Sequence, residues 1–340
     1  MFEYRGNLHV HSSQSDGSLA VENIAELADK LNLDFVGLND HHVFYDCDKY
    51  FGRVLVLMGT EFNDTHNHYL AYGAPLPLDG KQLAAKEVVD HVATQGGLGI
   101  IAHPFEKGSP LVSGGRHYPW RNWDIEAVAV EIWNCTSQWR DAIKGWTQAL
   151  GMYLFNRNQP FASGPCPLAL ERWDQLCRKR HVTAVAGSDL HGPRLGRGLF
   201  SIEVLGYKML LKLVNNYVLT EKQMTGEAQA DAELLLNALR RGRVYIAADY
   251  LAPGSGFRFW ATNSKRIVTM GDKLNSAGAE LQVQSPAPAR LDLLRNGERI
   301  LSCRGTELNY CALGPGVYRV EAFIGHSERP WVYTNPIYLD

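Results

Sequence analysis

The sequence predicts an α/β barrel followed by a small all-β unit. Three observations carry this. Short apolar runs alternate with helical patterns from residue 7 to about 205. These runs end repeatedly in His, Asp or Glu. After about residue 250 the helical periodicity gives way to short alternating runs split by turn residues. Alternating strands and helices imply parallel β/α units, and a succession of them suggests a barrel with its chemistry at the C-terminal strand ends.

The elements follow in order. "NLHVH" reads as a strand. In "SLAVENIAELADKLNL", Leu19, Ile24, Leu27 and Leu31 recur at helical spacing, with Ser18 able to cap the start. "DFVGLND" and "RVLVLMGTEF" are strands, and "KEVVDHVATQG" is a helix closed by Gly96. "LGIIAHP", "AVAVEIWN" and "VTAVAGSDLH" are further strands, and "ADAELLLNALRRGRVYIAAD" is the last helix and strand of this part. Beyond "YLAPGSG" lie "FRFWATNSKRIVTMGD", "AELQVQS", "ARLDLLRNGERIL" and "GVYRVEAFI". "RNGE" signals a hairpin and "GPG" at 314–316 another turn. These runs read as a small sandwich. The expected units are 1–252 and 256–340.

Composition narrows the function. The 340 residues carry a formal charge of -2, so no global field draws nucleic acid or an anionic membrane. Six cysteines without a C-x-x-C pair read as reduced thiols. The N-terminus lacks a basic segment followed by an apolar one, and no apolar run reaches about 18 residues. The expectation is a cytoplasmic protein without membrane or nucleic-acid partners.

On the first strand Leu8 and Val10 share one face by alternation, and His9 and His11 share the other. The histidines are then expected to point inward and Leu8 and Val10 toward the helices. Asp16 follows closely. "LNDHH" supplies His41, "GTEF" Glu61, "THNHYLAYG" His66 and His68, "IIAHP" His103, and "AGSDLH" Asp189 and His191. Six segments that each deposit N or O donors, with no thiolate, suit several ions of zinc, manganese or iron.

The series "NLHVHSSQSDG", "LNDHH", "GTEF", "NHYLAYG", "IIAHPF", "VEIWN" and "AGSDLHG" resembles the motif series of the polymerase and histidinol phosphatase (PHP) superfamily over residues 7–192. The resemblance implies a distorted (β/α)7 TIM-like barrel holding two or three divalent ions per chain, and phosphoester hydrolysis. It implies His9, His11, Asp16, His41, Glu61, His68, His103, Asp189 and His191 as metal ligands, with Glu61 bridging. The tail, "GVYRVEAFI" with "WVYTNPIYL", is similar to the ends of a PHP subgroup that includes carbamate-ester hydrolases.

Neighbouring residues have plainer readings. Asp40 has the wrong strand parity for a ligand and reads as an orienter of a histidine. His42 has the wrong parity too, at a place where it could reach substrate. His68 is preferred over His66. His91, His181 and His326 read as ordinary. Glu131 and Asn134 read as support for the metal shell or substrate. Trp120, Trp123, Trp133 and Trp139 read mostly as core, with one of them able to stack on a base or ring of the substrate. The glycine-rich loop 106–120 reads as a lid, which makes Arg116 and His117 candidate phosphate contacts, together with Arg194 and Arg197.

The expected activity is hydrolysis of a small phosphomonoester or nucleotide by a water activated at a di- or trinuclear site. Glu61, Asp189 and His191 are the catalytic residues, with His42 as an alternative acid. No G-x-S-x-G segment supports a serine nucleophile. Two other readings remain open: hydrolysis of a carboxyl or carbamate ester or amide by the same cluster, and a metal-stabilised binding protein.

Overall fold

Strand formation follows the β-branched and aromatic runs closely, but the connections do not repeat strictly as β/α. The computed structural model describes residues 1–74, 83–195 and 202–340. The first elements are β1 (Phe2–Val10), α1 (Val21–Lys30), β2 (Phe35–His41), β3 (Lys49–Phe51), β4 (Val54–Asn63) and β5 (His68–Tyr72). Next come α2 (Ala85–Thr94), β6 (Leu98–Ile101), β7 (Ala129–Asn134), α3 (Cys135–Ala142), α4 (Trp146–Phe155), α5 (Pro167–Cys177) and β8 (Thr183–Leu190).

Seven of these strands close a ring in the order β1, β2, β4, β5, β6, β7, β8 and back to β1. All contacts are parallel except those of β5, which runs against both neighbours. The reversal arises because no helix separates β4 from β5, and β3 adds only a hairpin against β4. Leu8, Leu55, Leu57, Leu70, Ile100 and Val185 form one buried cluster, while Val10, Val36, Val56 and Ile101 join another with α1 and α2. Leu8 and Val10 therefore part company, against the expectation of a shared face. The register shifts between them, and His9 between them is left-handed. Ser18 does not cap α1 either. The helix starts at Val21, and the Ser18 N–H donates to the His191 carbonyl.

The remaining elements are β9 (Arg194–Leu195), β10 (Ile202–Glu203), α6 (Tyr207–Leu210), β11 (Asn215–Thr220), α7 (Ala228–Arg240), β12 (Val244–Ala247), β13 (Arg258–Thr262), β14 (Ile267–Thr269), β15 (Lys273–Leu274), β16 (Glu280–Arg295), β17 (Glu298–Cys311), β18 (Gly316–Ile324), β19 (Arg329–Thr334) and β20 (Ile337–Leu339). The RNGE hairpin forms as expected between β16 and β17. Asn296 and Gly297 both have positive φ, as a type I′ turn requires. β11 pairs with β1, β12 with β11, and β19 with β12, so the C-terminal strands are continuous with the sheet.

This continuity solves a problem on β8. β1 pairs with β8 only from Gly187 onward, which leaves an open edge at Ala184 and Ala186. Two side-chain amides fill it. Asn335 accepts from Ala184 N–H and donates to Ala184 C=O, both at 2.8 Å. Asn216 does the same for Ala186, at 2.9 and 2.8 Å. A buried ion pair also joins α5 to β18, where Arg319 grips Asp174 with two bonds of 2.7 and 2.8 Å. All six cysteines are free. No helix among the described residues is long and apolar enough to cross a membrane.

Candidate metal centre

Each ring strand on the β1 to β8 side delivers its polar residues at the same end. His9 is the last residue but one of β1 with His11 just beyond, His41 ends β2, and Glu61 lies near the end of β4. His68 starts the reversed strand β5, so its position is also at this end. His103 follows β6, and Asp189 and His191 close β8. Three of these positions use left-handed backbone, His9 (φ 63°), His103 (28°) and Asp189 (51°), and so does His42 (51°) beside His41. Non-glycine residues in that region cost on the order of 1–2 kcal/mol each and concentrate at functional sites. Space is made for the site as well. A Cβ on Gly187 would stand 1.7 Å from Glu131 Oε1.

Glu61 is the centre. It is 1% exposed, and its two oxygens face different groups. Oε2 lies 3.2 Å from His9 Nε2, 3.2 Å from His11 Nε2 and 3.4 Å from His41 Nδ1. Oε1 lies 2.7 Å from His68 Nδ1 and 3.5 Å from His103 Nε2. Asp189 Oδ1 stands 3.4 Å from His9 Nε2, 3.6 Å from His11 Nε2 and 3.5 Å from His191 Nδ1. Asp16 Oδ1 reaches His191 Nε2 at 3.3 Å, and its Oδ2 lies 3.7 Å from His41 Nε2.

The nine expected ligands thus fall into three groups whose donor atoms lie within 4.8 Å of one another: His9, His11, Glu61 and Asp189; Glu61, His68 and His103; and His11, Asp16, His41 and His191. Both ring nitrogens of His11 and Nε2 of His68 are buried without a well-aligned hydrogen-bond partner among the described residues. Orphaned imidazole nitrogens of this kind, together with carboxylates and no thiolate, fit divalent zinc, manganese or iron.

The charges are mutually adjusted. Burial alone would drive the histidines neutral. For His11, the close approach of the Asp189 and Glu61 carboxylates outweighs it and lifts the pKa to about 9. His103 is also lifted to about 9, against its burial, by its bond to Glu61 and the charge of Glu106. His9 rises well above its ordinary value despite burial, through Glu131, Glu61 and Asp189. Burial opposes ionisation of Glu61 and Asp189, yet the surrounding histidines hold both well below the carboxylate range. Asp16, similarly opposed by burial, is drawn down to about 2 by its bond to His191. This is a dense cluster of compensating charge that cations could replace.

A supporting layer fixes the ligands. Glu131 Oε1 lies 2.8 Å from His9 Nδ1, leaving Nε2 to face the cluster. Its Oε2 accepts from His103 N–H and the Asn134 side chain. Glu131 thus contacts two of the candidate ligands, and Asn134 contacts Glu131. Asp40 accepts from Ser12 N–H, Ser12 Oγ, Ser15 Oγ and Tyr45, and these described bonds hold the loop that carries Asp16. Tyr207 donates to the His11 carbonyl at 2.8 Å and receives Ser18 N–H at 3.1 Å.

The cluster opens into a cleft of about 570 Å³. His42 and Arg116 line it. His117 does not; it is exposed, with Nδ1 3.1 Å from the Gly115 carbonyl. Arg194 is described only as a backbone position in β9, and Arg197 lies outside the described residues. His66 stays out of the cluster, with its N–H bound to Asp64. Tyr118, Arg140 and Glu106 are among the cleft residues that the sequence reading does not name. Tyr118 stacks on His68 at 4.5 Å. Arg140 pairs with Glu106, itself buried three residues after His103. The charged residue directly following "AHPF" was the available signal for Glu106; Arg140 and Tyr118 carry no local motif.

No protein-family model matches the chain. No curated protein matches it either. Among solved structures it is similar to a two-domain protein containing a predicted PHP-like metal-dependent phosphoesterase from Bacteroides vulgatus ATCC 8482. That likeness has 16% identity, 98% of this chain and 95% of that one covered, and a TM-score of 0.48. It is also similar to PsfC from Pseudomonas syringae PB-5123, at 10% identity with 69% and 88% covered and a TM-score of 0.42. A third likeness is to a candidate metal-dependent phosphoesterase from Bifidobacterium adolescentis ATCC 15703, at 16% identity with 57% and 90% covered and a TM-score of 0.34.

Proposed function

We propose that this chain is a metal-dependent phosphoesterase of PHP type that hydrolyses a small phosphomonoester or nucleotide, with residues 1–252 as the catalytic barrel and 256–340 as an accessory β unit. The observation that carries the reading is the division of Glu61, whose two carboxylate oxygens serve separate histidine groups in a buried setting. A bridging carboxylate is the economical way to hold two like-charged ions close together. Divalent ions at such a site lower the pKa of a coordinated water, polarise a phosphoryl oxygen and offset charge on the attacking and leaving oxygens.

The chain's own residues do the rest. Glu131 and Asp40 keep His9 and the Asp16 loop in place. Asp189, near three imidazoles, takes the proton of the attacking water. His191, 23% exposed toward the cleft, donates a proton to the leaving group, with His42 as the alternative donor. Arg116 meets the anionic group of the substrate at the cleft wall.

Two measurements test this reading directly. Elemental analysis after gentle purification and metal supplementation is expected to find two or three divalent ions per chain; one or fewer would contradict the nine-donor assignment. Asp189→Ala is expected to leave the circular dichroism spectrum intact and reduce kcat below roughly a tenth, a loss above about 1.4 kcal/mol. The substrate class is decided by a screen with Mn, Zn and Fe over phosphomonoesters, nucleotides and phosphodiesters. An arm of aryl carbamates and carboxyl esters follows from the resemblance in the tail. Turnover confined to that arm would transfer the reading to those esters. Inertness of the metal-loaded protein on every class would leave a binding protein.

A further inference from the structure

The loop 106–120 reads as a lid from its length and its glycines. Its hydrogen bonds describe something more fixed. At its start the Asp141 carboxylate accepts from the N–H groups of Lys107 and Gly108, at 2.9 and 2.8 Å. Ser109, fully buried, donates its hydroxyl to the Ile143 carbonyl at 2.8 Å. Toward its end Arg140 Nη2 donates to the Arg116 carbonyl, and Glu106 Oε2 accepts from the Tyr118 N–H at 3.0 Å. The Trp120 N–H then donates to the Pro104 carbonyl at 3.0 Å. Both ends of the loop are tied, largely to the last turn of α3 and the residue after it.

Arg140 and Glu106 join the two ends to each other. Arg140 Nη1 donates to Glu106 Oε1, and Ser137 Oγ donates to the same oxygen at 3.3 Å. The Glu106 side chain is 1% exposed and that of Arg140 13%. Arg140 Nε is buried without a hydrogen-bond partner among the described residues. A buried ion pair with an unmet donor is a poor way to gain stability, which favours a role in the cleft over one in the core. The loop supplies Val112, Arg116 and Tyr118 to the cleft wall, and the Tyr118 ring stacks on His68.

We propose that Arg140 and Glu106 are positioning residues that fix residues 107–118 as a preformed wall of the cleft. Arg116 and Tyr118 then stand at the substrate site before substrate arrives, and no lid closes over it. The inference rests on the phosphoesterase reading for the nature of that substrate. A loose loop has to be ordered at each binding event, and that entropy loss weakens binding; a loop ordered on folding avoids it. Loosening the clamp therefore raises KM. None of the nine candidate metal donors lies within 107–118, so kcat is retained.

Arg140→Gln is the test variant. Glu106 is left in place because its Oε2 also lies 4.0 Å from His103 Nδ1. The first measurement is limited trypsin digestion of the metal-supplemented full chain, with the cuts mapped by mass spectrometry. Lys107 and Arg116 are the tryptic sites within the loop. Cleavage after them is expected at least roughly tenfold faster in the variant than in wild type. The second is steady-state kinetics on the ester that the substrate screen selects. KM is expected to rise at least roughly tenfold and kcat to stay within about threefold, with the ions per chain unchanged. Arg140→Lys, which keeps the charge and can reach one of the two acceptors, is expected to fall between the two in both measurements. Wild type cut as fast as the variant overturns the proposal. So does wild-type cutting that inorganic phosphate suppresses about tenfold, which would make the loop a lid. A lowered Tm with KM unchanged overturns it as well and leaves the pair a structural one. A protein inert on every ester would fail the phosphoesterase reading alone, since the digestion decides the fixed wall without a substrate.

Discussion

Glu61→Gln is expected to reduce turnover at least ~10³-fold, about 4 kcal/mol of transition-state stabilisation, and to leave one ion or fewer per chain. The substitution keeps the volume of a side chain that is 1% exposed, so packing is preserved. It removes the negative charge and turns one oxygen into an NH2 group. That group faces either His68 and His103 or His9, His11 and His41, and in both cases it presents protons where a ligand is needed. Two of the three donor groups contain Glu61, so the loss spreads beyond one ion. Elemental analysis and kcat on the same preparation check it. A variant retaining two ions and more than about a tenth of kcat would sink the bridging role.

The largest effect on stability is expected at Arg319. Its side chain is 3% exposed, and it binds Asp174 through both Nε and Nη2. It also bonds Glu321 at 2.6 Å and lies 5.2 Å from the Trp173 ring centroid. Arg319→Ala strands the Asp174 carboxylate in the interface between α5 and β18, which costs about 3–5 kcal/mol. Replacing both partners, as Arg319→Met with Asp174→Asn, is expected to recover part of the loss, because the Asp174 charge is removed with its partner and only Glu321, 15% exposed, loses its bond to Arg319. Urea denaturation midpoints at equal m-values measure both. A single variant within about 1 kcal/mol of wild type would show that water reaches Asp174 freely.

The two variants probe features that differ in how far the sequence reveals them. The convergence of the nine candidate donors was legible because strand ends are local: a strand pattern and the residue that follows it occupy one short stretch. Where local periodicity is interrupted, the reading failed. His9 is left-handed at a register shift, so Leu8 and Val10 go to different clusters although alternation gives them one face. The reversal of β5 was hidden because the pattern of a strand carries no direction, and only the missing helix before it hints at one. Strand parity makes Asp40 an orienter rather than a ligand, but it does not reveal Ser12, Ser15 and Tyr45 as its donors. The pairs Asp174 with Arg319 and Ala184 with Asn335 are 145 and 151 residues apart, and no motif connects such distances.

That last separation bears on how the protein is made. Synthesis delivers β8, and with it Asp189, long before Asn335 exists. At ~5–20 residues per second, 151 residues take roughly 8–30 s. Throughout that interval the peptide groups of Ala184 lack the partner that covers them in the finished protein, so the nascent barrel carries an unguarded strand edge. The seven-stranded ring therefore reaches its final hydrogen bonding only after the accessory strands have emerged. A settled β8 beneath Asp189 belongs to the end of translation, and slowing elongation downstream of residue 190 is expected to lengthen exposure to aggregation rather than assist folding.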